Sequence, residues 1–141
     1  MKLVKKLLFV STFTLLVVLL YRVLLPVQVV AVYQDKNFTD ILVKNFPLSE
    51  YGKREWWKKN RDEMQNKFNF PKKDNEGRYI ITIWSFDGVY KKIPDNDNRL
   101  STETSDLLCF TSLKEDANCI DKNRLMTIQK NLNGPESIRV R

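Results

Sequence analysis

The chain contains no histidine. That excludes an imidazole general base, a His-based catalytic triad and His-ligated zinc within these residues. Glycine is scarce, with four residues, and proline contributes five, so collagen-like and low-complexity sequence are excluded. Cysteine occurs twice, too few for a disulfide scaffold or a four-cysteine metal site. No Gly/Ser-rich linker or internal repeat divides the 141 residues, a length suited to one small domain.

What is abundant lies at the N-terminus. Lys2, Lys5 and Lys6 precede an apolar run, residues 7–25, that ends at Pro26. These 19 residues would span ~28 Å as a helix, close to the hydrocarbon thickness of a bilayer. Tyr21 and Arg22 sit near the far end, where an amphipathic ring and a snorkelling guanidinium reach the headgroups. Lys5, Lys6, Tyr21 and Arg22 are therefore the expected membrane-interface residues. The lysine bias places residues 1–6 in the cytoplasm and residues 27–141 outside. The competing reading is a signal peptide cut after Ala31, with Val29 and Ala31 as the small residues. The length of the apolar run and the strand-like alternation of residues 27–33 favour an uncleaved anchor. A buried core helix is the third reading.

The charge balance supports this division. The whole chain carries 24 basic and 17 acidic residues, a formal +7. Removing Lys2, Lys5, Lys6 and Arg22 leaves 20 against 17, a net of +3, mixed in sign along the chain. No basic patch suited to nucleic acid remains, and no nucleic-acid partner is expected.

Beyond Pro26 the pattern predicts α+β: a transmembrane helix followed by one small antiparallel sheet with a single main helix packed on it. Residues 27–33 read as a strand, and residues 38–46 as a strand or a short helix. The main helix opens at Ser49, a candidate N-cap, and runs to about Phe68 before Pro71. Trp57, Met64 and Phe68 share one face. Glu55–Lys59, Lys59–Glu63 and Glu63–Lys67 are opposite charges at i,i+4 on another. Residues 78–86 form the strongest strand signal, and Asp87-Gly88 predicts a hairpin into residues 89–92. Residues 94–104 read as a loop and 107–110 as a short strand. Residues 125–130 and 137–140 flank Asn133-Gly134-Pro135 as a last hairpin.

Each candidate site has a plain competitor. Cys109 and Cys119 enclose nine residues, and outside the cytoplasm such a pair closes a disulfide; a reactive thiol or metal pair is the weaker alternative. Trp56 and Trp57 are the candidate partner-binding residues. Neighbours on a helix point ~100° apart, so one can enter the core while the other faces a groove or the membrane surface. Trp56 is the candidate anchor, and packing of both is the competing reading. Asp95, Asn96, Asp97 and Asn98 resemble the start of a calcium loop, but Arg99, Leu100 and Asp106 stand where such a loop needs a ligand, glycine and glutamate. Asn37, Phe38 and Thr39 match a glycosylation sequon. No metal, cofactor or catalytic residue is expected, and the chain is not expected to be an enzyme.

Several segments resemble the DUF943 family of enterobacterial membrane proteins: PVQVVAVY at 26–33, ILVKNFP at 41–47 and WWKKN at 56–60, then YIITIWSF at 79–86, LCF at 108–110 and NCI at 118–120. The resemblance implies a bacterial inner-membrane protein with a periplasmic domain, brings no catalytic residues, and implies further chain after Asn133-Gly134 than is present. The expected role is a protein-binding module partnered by the bilayer and by a periplasmic protein, one version being an immunity protein against a periplasmic or membrane-acting toxin. An accessory or sensor subunit of an envelope complex is the alternative, and a small enzyme or carbohydrate binder the third.

Overall fold

The computed structural model describes residues 1–94 and 106–141. The Asp95–Asn98 run and all but the first residue of the expected 94–104 loop lie outside the described residues. The chain opens with α1 (Lys2–Leu24), about 35 Å long at the helical rise. None of its residues is buried. Leu, Val and Phe point outward all round, with Phe9 at 74% exposure, so α1 is not a core helix. Thr12 and Thr14 donate back to the carbonyls of Leu8, Phe9 and Ser11.

The helix stops before Pro26, and β1 (Gln28–Asp35) starts at once. It pairs antiparallel with β2 (Phe38–Lys44), which settles residues 38–46 as a strand. Then α2 (Glu50–Phe68) crosses over to β3 (Tyr79–Ser85), and β3 lies parallel to β2. The large sheet is completed by β7 (Arg124–Lys130) and β8 (Ser137–Val140) in the order β1-β2-β3-β7-β8. It is therefore mixed rather than wholly antiparallel. A helix inserted between two neighbouring strands returns the chain to the end it left, which makes that pair parallel.

The expected hairpin at Asp87-Gly88 does not form. Gly88 adopts φ +102°, and a Cβ there would collide with the Lys44 side chain. The turn carries the chain off the large sheet into β4 (Lys91–Lys92). That strand pairs with β6 (Ala117–Asp121), whose other neighbour is β5 (Leu107–Cys109). The hairpin around Asn133-Gly134 does form, as β7 and β8. The α+β class therefore holds, with a second sheet added.

Three layers result. On one face of the large sheet α2 sends Trp57 and Met64 into Ile41, Val43, Ile81, Ile83, Met126 and Ile128. On the other, Phe110 and Ile120 of the small sheet region meet Leu42 and Phe86, and Tyr33 stacks on Phe110 at 4.1 Å. Burying each such large side chain contributes roughly 1.5–3 kcal/mol. The pairs along α2 are Arg54–Glu50, Lys58–Glu55 and Arg61–Asp62 in place of the three expected ones, and exposed pairs of this kind contribute only ~0.3–0.5 kcal/mol. Packing therefore decides where α2 sits, while solvated side chains choose among several partners.

Ser49 caps α2 as expected: its hydroxyl accepts from the Gly52 amide at 3.0 Å. At the other end Asn69 turns left-handed (φ 52°). Replacing Ser49 with alanine should cost about 1 kcal/mol, read as a lower melting temperature with unchanged helix content, and the Ser49→Thr variant should retain most of it.

Candidate functional site

The interface residues expected at the two ends of α1 lie there and are exposed: Lys5 and Lys6 in its first two turns, Tyr21 and Arg22 in its last. Cys109 and Cys119 are bonded. They stand directly opposite each other on β5 and β6, and the Phe110 amide bonds the Asn118 carbonyl at 2.9 Å beside them. That identifies a non-hydrogen-bonded pair, the antiparallel position where side chains come closest. The bond staples a small sheet that has little core of its own.

The tryptophans separate. Trp57 is fully buried under the large sheet and packs in the core. Its indole N–H is buried without an acceptor among the described residues. Trp56 is only partly buried, edge-on to Phe46 at 5.0 Å, and lines a shallow cavity of about 210 Å³ with Val27, Asn60 and Lys67. The ~100° step between neighbours decides this split.

Sequence reasoning missed the face of the large sheet opposite α2. The strand registers align Tyr33, Asp40, Thr82, Thr127 and Arg139 in one row across all five strands. A second row aligns Asp35, Phe38, Ile80, Gln129 and Ser137. Tyr33 is taken up by the small sheet, its hydroxyl 2.6 Å from that of Tyr90; burial first, and then this bond, push the Tyr33 hydroxyl up. Ile80 belongs to neither core cluster, and Phe38 is 49% exposed. The Phe38 end of this face is thus exposed.

Asp40 lies in the middle of it. Its carboxylate accepts from the Trp84 indole N–H at 2.7 Å and, among the described residues, has no cationic partner. Burial raises its pKa, and the Trp84 bond offsets this only in part. A period-two pattern marks Asp40 as facing away from Ile41, but not as half-buried beside an indole 44 residues on. On the α2 side, Lys53 is 7% exposed and donates to the Arg141 carbonyl at 2.6 Å. Tyr79 donates to Glu136, which also meets Arg61 at 3.2 Å. Burial first, then this carboxylate, push the Tyr79 hydroxyl up to about 12. Both arrangements tie the last hairpin to the rest of the fold. Among the described residues no cluster of three metal-binding side chains occurs.

An exposed apolar helix, by length and composition a candidate membrane span, precedes a disulfide-bonded α+β unit. The family model described as "Enterobacterial putative membrane protein (DUF943)" matches residues 2–141, and the chain belongs to that family. No curated protein and no solved structure matches it.

Proposed function

We propose that the chain is a single-pass inner-membrane protein, N-terminus in the cytoplasm, that holds a non-enzymatic protein-binding module in the periplasm. The lysines ahead of α1 support the orientation, and the Cys109–Cys119 bond supports an oxidising compartment. The observation that carries the binding reading is Asp40. It is a half-buried carboxylate without a cationic partner among the described residues, set in an open sheet face between Phe38 and Trp84. Such a group costs folding stability and suits a partner that brings a basic side chain to it. A toxin neutralised at the membrane is one such partner, which would make the chain an immunity protein.

A photo-crosslinking residue placed at Phe38 in the full anchored chain tests this in envelope preparations. The expected result is one discrete protein adduct, lost in the Asp40→Asn background and absent with the probe at Leu132. Labelling from both positions alike would sink the assignment to this face. Because α1 leaves all its residues exposed, a second reading is a subunit that works through contacts within the bilayer. Exchanging α1 for an unrelated span should abolish function under that reading and preserve it under the first.

Asp40 also predicts a stability effect. Its folded pKa lies above the unfolded value of 3.8, so its contribution is fully present below that value and is lost as pH rises through the folded pKa. At neutral pH the ionised group therefore opposes folding. Asp40→Asn should raise the melting temperature at pH 7, with the gain disappearing in acid where both side chains are neutral. A variant that is less stable at pH 7 would show that the carboxylate is structural.

A further inference from the structure

We propose that the end of the α+β region nearest α1 is a second membrane contact: a rim that rests on the same lipid surface that α1 leaves. The proposal depends on the reading of α1 as a span. The strand registers define the rim without reference to the tilt of the helix. β1 begins at Gln28, just past the end of α1 at Leu24. Gln28 pairs with Lys44, Val43 with Ser85, Trp84 with Arg124, and Met126 with Val140. The segments 45–51, 86–90 and 122–124, together with Arg141, therefore lie at one end. A connector of residues 25–27 reaches at most ~11 Å, so this end cannot move far from the headgroups.

The apolar side chains are distributed accordingly. Outside α1, the three most exposed large hydrophobic residues among those described are Leu48 at 95%, Tyr51 at 76% and Val89 at 66%. All three are on the rim. Leu132, the next at 56%, belongs to the opposite end, beyond Lys130 and its partner Tyr79. Phe46, Pro47 and Leu48 also share an apolar cavity of about 600 Å³ with Leu19, Val23 and Leu25 from the end of the helix, which makes the rim continuous with the span. Asn45 ties this loop down by donating to the Pro26 carbonyl at 3.4 Å.

Charge points the same way. Three rim carboxylates are engaged within the chain, Glu50 by Arg54, Asp121 by Lys91 and Asp87 by the Val89 amide, while Asp106 lines a cavity with Arg124 and Arg141. Lys44, Arg124 and Arg141 have no ion-pair partner among the described residues. Apolar side chains flanked by cations suit the boundary between acyl chains and anionic phosphate headgroups. In that arrangement Leu48, Tyr51 and Val89 enter the interface while the cations meet phosphates. The open face around Phe38 and Asp40 is then held away from the bilayer, where a soluble partner can reach it.

Nitroxide labels on the full chain in nanodiscs of phosphatidylethanolamine and phosphatidylglycerol test this, attached after the disulfide has closed. The three label sites are Leu16→Cys in the span, Leu48→Cys on the rim and Leu132→Cys at the far end. Collision with oxygen should exceed collision with a water-soluble nickel chelate for the Leu16 and Leu48 labels, and the reverse should hold at Leu132. A Leu48 label as open to the chelate as the Leu132 label, with Leu16 in hydrocarbon, overturns the docking and leaves the span intact. A Leu16 label in water overturns both. Arg124→Glu combined with Arg141→Glu should open the Leu48 label to the chelate several-fold, and an unchanged label would remove the cations from the contact.

Discussion

Trp57→Ala should be the most damaging single substitution outside α1. The side chain is fully buried between α2 and the large sheet, among Ile41, Ile81, Ile83 and Met126. Truncating a buried tryptophan costs about 3–5 kcal/mol, because transfer energy is lost and a cavity remains. In a domain of this size ~5–15 kcal/mol is the whole stability. A drop in melting temperature of roughly 15–30 °C follows from the usual entropy of unfolding. Two companions make the prediction sharp. Trp57→Phe should cost less than half as much, since it also removes a buried N–H that has no acceptor among the described residues. Trp56→Ala should likewise cost less, because Trp56 is only partly buried and its main ring contact is the edge of Phe46. Thermal melts of the three variants decide it; equal losses at 56 and 57 would mean that the helix does not present Trp57 alone to the core.

Loss of the disulfide should have the next largest effect. Closing the loop between Cys109 and Cys119 is worth ~2–3 kcal/mol in the chain-entropy model. The consequence should be local first. The small sheet has strands of two, three and five residues, too short to hold without the staple or the large sheet beneath them. Cys109→Ser with Cys119→Ser should therefore raise amide exchange in β4, β5 and β6 before it does so in β2, β3 or β7. The stacking of Tyr33 on Phe110 should loosen with it. Identical melting temperatures for the oxidised protein and the double variant would contradict this account.

These effects bear on how the site could be read in advance. The disulfide was legible because two cysteines separated by nine residues in a region read as lying outside the cytoplasm most often pair. The strand β6 that carries Cys119 was not, because ANCID mixes small, polar and apolar residues without a period. Asp87-Gly88 carries a true turn signal, with Asp87 accepting from the Val89 amide at 2.9 Å. The signal specifies a local bend and says nothing of which strand lies beyond it. The α2 ion pairs missed their register for a related reason, since exposed charges have several partners of nearly equal energy.

The sequence by itself determined the features that depend on neighbours within a turn or two. Those are the apolar α1 with its lysine flank, the Ser49 cap, the span of α2 and the strong strand at β3. Each rests on periodicity, capping or propensity, which act over a few residues and are written in consecutive letters. Tertiary structure alone decided that β2 and β3 run parallel and that Asp40 meets Trp84. It also gathered Leu48, Tyr51 and Val89 at one end of the fold. These pairings join residues dozens of positions apart. They are selected by the simultaneous burial of both faces of one sheet, a condition no local stretch of chain can express.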